Sequence, residues 1–353
     1  MNCLLSDKMT KFSTNINILR FICAISVILS HSYALTLNEY DLVSRYFNNQ
    51  VSLGVIAVSI FFFLSGLYVT KSLKKSKSSI DFIKKRVKRI FPQLWIVVLF
   101  SIFVIGPIFS TLSLKEYFTN IETYKYLKNM ILILTYSLPG VFKDRYDTTI
   151  NGPLWTMPVE FLCYIMILVL SIVIKKISNN KNEEKFWKIL FGISTVISIC
   201  IFTIILYVIK SIFLITAFRP VCFFLIGSMC FLYKDKIILN PIVALIMVFI
   251  LPFLRENNLF NLFSLIFIPY IIISLILGVK QTKFNLKIFN ISYEMYLLGW
   301  PIQQSVNVLF SGLNPIENTC LSLPIDILLG YIIYIMVEKI LNRKNKSYVY
   351  NKQ

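Results

Sequence analysis

An all-α integral membrane protein with about ten transmembrane helices is the architecture this sequence encodes, and three observations point to it. Of its 353 residues 57% are hydrophobic, and mean hydropathy is +0.72, where soluble chains are about 45–50% apolar. The excess is gathered into long runs such as Ile96–Ile108 and Phe161–Ile174, and a helix needs about 20 mostly apolar residues to cross a bilayer. The basic residues flank these runs instead of interrupting them, as membrane loops require.

Taken in order, the apolar runs lie near 16–37, 51–70, 90–109, 156–174, 187–208, 212–233, 238–254, 259–279, 289–310 and 320–341. Lys8, Lys11 and Arg20 precede or open the first run and no A-x-A-like site follows it, so it reads as an uncleaved span. Between the second and third runs, Lys71–Arg89 carries nine Lys and Arg against the single Asp81. That excess places the loop, and with it the N-terminus, in the cytoplasm. The run 128–139 is apolar but short, and stretches of 10–14 residues are more often re-entrant or interfacial than spanning. If it does not cross, the basic segments 175–188, 234–236, 280–287 and 342–353 all fall inside. The expectation is ten spans, both termini cytoplasmic, and one short re-entrant or periplasmic segment at 128–139.

Composition also excludes several functions. Lys and Arg number 36 against 17 Asp and Glu, a net charge of +19. In a soluble chain this would suggest nucleic acid, but here cytoplasmic loops account for it and no nucleic-acid partner is expected. The seven cysteines form no C-x-x-C and six lie in or beside apolar runs, so they read as small buried hydrophobes. One histidine cannot build a multi-histidine metal site, and no metal is expected. No linker, long polar stretch or internal repeat divides the chain, which reads as a single membrane domain over 1–353.

Ionisable groups inside spans are costly and usually face a cavity or a partner. His31, the only histidine, is either a hydrogen-bonded structural group or a base, the role imidazole fills near neutral pH. Arg20 lies eleven residues earlier. Eleven steps of about 100° return to within roughly 20° of the same face, about 16 Å along the axis, so both line one stripe of the first helix. Arg20 either snorkels to the inner interface or shares a cavity with His31. Glu160 follows the turn Asn151-Gly152-Pro153-Leu154 and an interfacial Trp155. Its carboxylate either pairs with Arg219, which lies at similar outer depth, or serves the reaction. Arg86 and Arg89, three apart at the start of the third span, either anchor the loop or grip phosphates from one helix face.

Taken together these residues resemble the integral-membrane acyltransferase family 3, which includes O-antigen, capsule and peptidoglycan O-acetyltransferases. Arg20 and His31 fit its R-x10-H motif, and Phe61-Phe62-Phe63-Leu64-Ser65-Gly66 continuing to Ser72 fits FFxxSGxxxxxS. Arg86 and Arg89 fit RxxR, and Leu154-Trp155 with Glu160 is similar to the LW-x3-E segment. Ser292-Tyr293-Glu294-Met295-Tyr296-Leu297 resembles SYxxYL, and Val337-Glu338-Lys339 the closing helix. Many members carry a second histidine soon after SYxxYL. Gly299 stands there in this chain, which excludes any mechanism needing that group.

The resemblance implies an acetyl-CoA-dependent O-acetyltransferase of the bacterial cytoplasmic membrane, acting on a surface polysaccharide or its lipid-linked precursor, with O-antigen or capsule expected. It implies that Arg20, Ser65, Gly66, Ser72, Arg86, Arg89 and Tyr293 bind the donor. Gly66 would let the cofactor approach the backbone, or serve tight helix packing. His31 and Glu160 would be catalytic, with His31 as general base or as the acceptor of a covalent acetyl group. Trp155 and Arg219 would contact substrate or support the site. A flippase or polymerase of lipid-linked glycan, or another membrane transporter, is the competing class, and it needs no acyl donor.

Overall fold

The computed structural model describes residues 3–9, 14–36, 40–178, 182–280 and 286–350, with the backbone alone over 342–350. Lys11 and parts of the basic segments 175–188, 280–287 and 342–353 lie outside the described residues. A helix stands at each expected run: α1 Thr14–Thr36, α2 Leu53–Lys75, α3 Ser79–Phe100, α4 Thr156–Ser178 and α5 Glu183–Ile204. They continue as α6 Ile212–Leu232, α7 Pro241–Ile250, α8 Leu259–Ile271, α9 Ser292–Leu309 and α10 Pro315–Tyr350. Among the described residues eight helices are long and apolar enough to cross a membrane, not ten. The exceptions have separate causes. α7 has 10 residues and gains only a four-residue turn to Leu254. α9 has 18 residues but is diluted by Glu294, Gln303, Gln304 and Asn307, all buried. The all-α membrane class is unaffected by either.

Local chemistry sets several boundaries. Ser52 caps α2 by accepting from the Val55 amide at 3.0 Å, and Ser211 caps α6 through Leu214. Asn240 caps α7 through Ile242 and Val243, with Pro241 in the first turn; such caps satisfy amides the helix leaves open. The segment 128–139 forms no crossing helix. A short 3-10 helix, Tyr126–Ile131, stops at Leu132, which takes φ 65°. The Asn129 side chain then donates to the Thr135 carbonyl at 2.8 Å and accepts from its amide at 3.0 Å.

The described residues gather into two compact units. Unit 1 comprises 1–27, 40–86 and 159–285, and unit 2 comprises 28–39, 87–158 and 286–353. In unit 1, α2 and α6 approach backbone to backbone. A Cβ on Gly66 would lie 1.9 Å from the Phe224 carbonyl oxygen, and one on Gly227 would lie 2.1 Å from that of Phe63. Close approach through small residues is how membrane helices pack in the absence of a hydrophobic drive between them. Thr70 donates to Ser228 at 2.9 Å beside this crossing. Also in unit 1, the two-residue strand β1 Cys3–Leu4 pairs antiparallel with β2 Ile238–Leu239. The seven cysteines are all free; Cys23, Cys163 and Cys222 are buried as expected, whereas Cys200 and Cys320 are exposed on their helices.

Candidate active site

Unit 1 assembles a hydrogen-bonded group around Glu160. The Ser65 hydroxyl, on α2, donates to Glu160 Oε1 at 3.1 Å. Tyr164, one turn along α4 from Glu160, donates its phenol to the same oxygen and lies 3.2 Å from the Ser65 hydroxyl. The Arg86 guanidinium sits 5.7 Å from the Tyr164 ring centre and donates to Ser72 Oγ at 3.3 Å. Ser65, Ser72, Arg86 and Glu160, separate in sequence, are thereby linked through Tyr164. Tyr164 went unnamed in the sequence, although a tyrosine four residues after a carboxylate faces it on a helix. The Arg20 charge on α1 interacts with Tyr68 of α2.

One expectation in unit 1 is corrected. Arg219 does not pair with Glu160. It is 1% exposed, and its three nitrogens donate to Ser59 at 3.1 Å, Asn261 at 2.6 Å and Ser264 at 2.7 Å. Phe223 and Phe260 lie against the guanidinium at 5.3 and 5.9 Å. The face of α6 that carries Arg219 packs on α2 and α8, which supply neutral oxygens and π faces for the cation. For Gly66, a Cβ would fall on the Phe224 carbonyl, so the tight helix packing that is one of its two readings is present.

Unit 2 carries His31. Its ring meets Trp300 of α9 edge-on, centroids 4.9 Å apart at 75°, and its Nδ1 is buried with no hydrogen-bond partner among the described residues. A buried ring nitrogen without a protein partner is open to a ligand or a water. Trp300 is itself fixed, donating to the Thr149 carbonyl at 3.1 Å. Its neighbours on α9 bind the same approach segment: Gln304 donates to the Asp147 carbonyl at 2.7 Å, and Tyr296 meets Thr156 at 2.8 Å. Asn151 donates to the Leu297 carbonyl at 2.8 Å. That carbonyl is open because Pro301, four residues on, has no N–H to give it. Trp155 ends the 3-10 turn Gly152–Trp155 and is half-buried. Also in unit 2, the exposed Arg89 lies 5.6 Å from the Tyr293 ring centre, and the Tyr293 hydroxyl donates to the Ile90 carbonyl at 3.1 Å. Trp300, the group against His31, gave no sequence signal, since only tertiary packing brings it there.

The family model described as "Acyltransferase domain" matches residues 13–337. An O-acetyl transferase of Shigella phage Sf6 is 27% identical over 329 residues, covering 91% of this chain and 93% of that protein. Nodulation protein 10 of Rhizobium leguminosarum bv. viciae is 30% identical over 162 residues, 44% of this chain and 43% of that protein. No solved structure matches the chain. A match over nearly the whole length, on a chain with eight helices long and apolar enough to span, means that this protein belongs to the acyltransferase family and is a multi-pass membrane acyltransferase.

Proposed function

We propose that the protein transfers an acetyl group from cytoplasmic acetyl-CoA to a hydroxyl of a bacterial surface polysaccharide or its lipid-linked precursor, O-antigen or capsule. The observation that carries this reading is His31: the one imidazole in the chain, with an unsatisfied buried nitrogen, on the same helix as Arg20. His31 takes the proton of the acceptor hydroxyl, and the freed oxygen attacks the thioester carbonyl. The C–S bond breaks and the CoA thiolate takes up a proton. Arg20, Arg86 and Arg89 hold the phosphates of the donor, with Ser72 and Tyr293 orienting two of these guanidiniums as the observed contacts suggest. Glu160, tied to Ser65 and Tyr164, orients a reacting group. Trp155 offers an aromatic face to the sugar.

Membranes containing the protein, given acetyl-CoA labelled in the acetyl group, are expected to move label into the glycan fraction. Mass spectrometry of surface glycan from a deletion strain should show the loss of one acetyl substituent per repeat. Unchanged acetylation with altered glycan export or chain length would sink this reading in favour of a transporter.

The reading requires a cytoplasmic donor side, and therefore the topology with both termini in the cytoplasm of a bacterial inner-membrane protein. Because 128–139 forms no crossing helix, single cysteines placed at Lys125 and Asp144 in a cysteine-free background should both react with an impermeant reagent from the periplasm. Labelling at one and protection at the other would overturn this topology.

A further inference from the structure

Two carboxyl groups of unit 2 are left over by the acyl-transfer chemistry, and both sit where α9 packs on α10. Asp326 of α10 is 0% exposed, and neither of its oxygens has a hydrogen-bond partner among the described residues. Oδ2 lies 3.9 Å from the point a Cβ on Gly299 of α9 would occupy, and Ile28 Cγ1 of α1 lies 2.9 Å from that point. Gly299 thus leaves Asp326 Oδ2 close to the α9 backbone without a side chain between them. One turn further along α10, Gly330 makes room for Glu294 of α9, whose Cβ would be 3.5 Å from a Cβ there. Glu294 is 1% exposed. Its Oε1 accepts from Gln93 Nε2 at 3.3 Å, its Oε2 has no hydrogen-bond partner among the described residues, and the Arg89 charge acts on it.

In the other direction along α9, one turn from Gly299, stands Gln303. Its amide nitrogen serves the Ile28 carbonyl at 2.8 Å, the Ser32 hydroxyl at 2.5 Å and Asn318 at 3.2 Å. Its oxygen, like that of Gln93, is buried without a donor. Gln303, Asp326, Glu294 and Gln93 each keep at least one buried side-chain oxygen without a donor among the described residues. Oxygens of a single hydrogen-bonding sense cannot satisfy one another. In an apolar interior an unpaired carboxylate is too costly to persist. A proton on each acid supplies a donor that its neighbours do not.

We propose that Asp326 and Glu294 are proton-binding sites, held as neutral carboxylic acids, and that with Gln303 and Gln93 they form a proton path along α9. In each step a carboxyl O–H bond breaks as its proton passes to a water, forming hydronium, and a hydronium on the other side gives its proton to the carboxylate, so that acid and water are both restored. No oxidant or reductant is involved. The path is independent of which donor and acceptor the enzyme uses.

Infrared spectra of the full-length protein in lipid nanodiscs test it. Asp326→Asn and Glu294→Gln, neutral and close in shape, are each expected to remove one carbonyl band of a protonated carboxylic acid. Transfer to D2O should shift the Asp326 band to lower frequency while the amides of the helix cores remain protonated. Gln303→Leu, which leaves both acids in place, should slow that shift. Absence of an acid band at Asp326 would overturn the proposal, because a carboxylate there requires a bound cation instead. A band that never exchanges in the folded protein would overturn the path. If Asp326→Asn fails to insert, the Glu294→Gln spectrum and the effect of Gln303→Leu on exchange decide the matter by the same criteria.

Discussion

His31→Ala is expected to lower acetyl transfer by about 10²–10⁴-fold, the usual contribution of a positioned base, while insertion and acetyl-CoA binding survive. Alanine also removes the edge contact with Trp300, so a loss in that variant alone would not separate packing from chemistry. His31→Gln supplies the control. It keeps a side chain against the indole and a hydrogen-bonding end but cannot take up a proton near neutral pH. The two variants should be equally poor in initial-rate measurements of label transfer to glycan. Robust acetylation by His31→Gln would falsify the catalytic assignment. The same assay without acceptor distinguishes direct attack from a covalent route. Acetyl trapped on His31 would replace the base mechanism with an acetyl-imidazole intermediate.

The second large effect is expected at the donor. Arg86→Ala and Arg89→Ala should each weaken acetyl-CoA binding by about 1.5–3 kcal/mol if each loses a charged phosphate contact, which is roughly 10- to 150-fold in Kd. Arg89 is exposed, so its loss belongs at the lower end. Lys74→Ala and Lys77→Ala are the matched controls in the same basic loop. Lys74 is already engaged by Glu184 and lies 5.3 Å from the Trp187 ring centre, and Lys77 is exposed. Titration calorimetry or donor competition on purified protein checks all four. Equal effects across them would leave bulk charge as the explanation and remove the specific role of the two arginines. Because Arg86 also touches Ser72 and Tyr164 in the absence of donor, Ser72→Ala should cost much less than Arg86→Ala.

Sequence periodicity located the helices because bilayer thickness fixes their length, and it placed Arg20 and His31 on one helix because α1 runs unbroken from Thr14 to Thr36. It said which face a residue occupies but not which helix lies opposite. That is why Arg219 seemed a partner for Glu160 on depth alone, while its real partners, Ser59, Asn261 and Ser264, come from α2 and α8. The same limit hid Trp300 from His31. Tyr164 was within reach, since its relation to Glu160 is local to one helix. α9 differs for another reason: the apolar run 289–310 reads as a span, but Glu294, Gln303, Gln304 and Asn307 dilute its helix, and the partners that make this polarity tolerable are visible only in three dimensions.

That polarity bears on how the protein is made. The translocon sorts each emerging segment by its apolarity, and α9, with Glu294, Gln303, Gln304 and Asn307, offers it a poor reason to leave the channel. α10 follows after a short turn in which Gly312 takes φ 78°, and it is apolar enough to span. Its Asn318 both donates to and accepts from Gln303. The polar partners of α9 thus exist only once α10 has been made, which predicts that the two segments enter lipid together as a hairpin. A chain truncated before α10 is expected to leave α9 without them, and with it Trp300 and the anchors for residues 147–156.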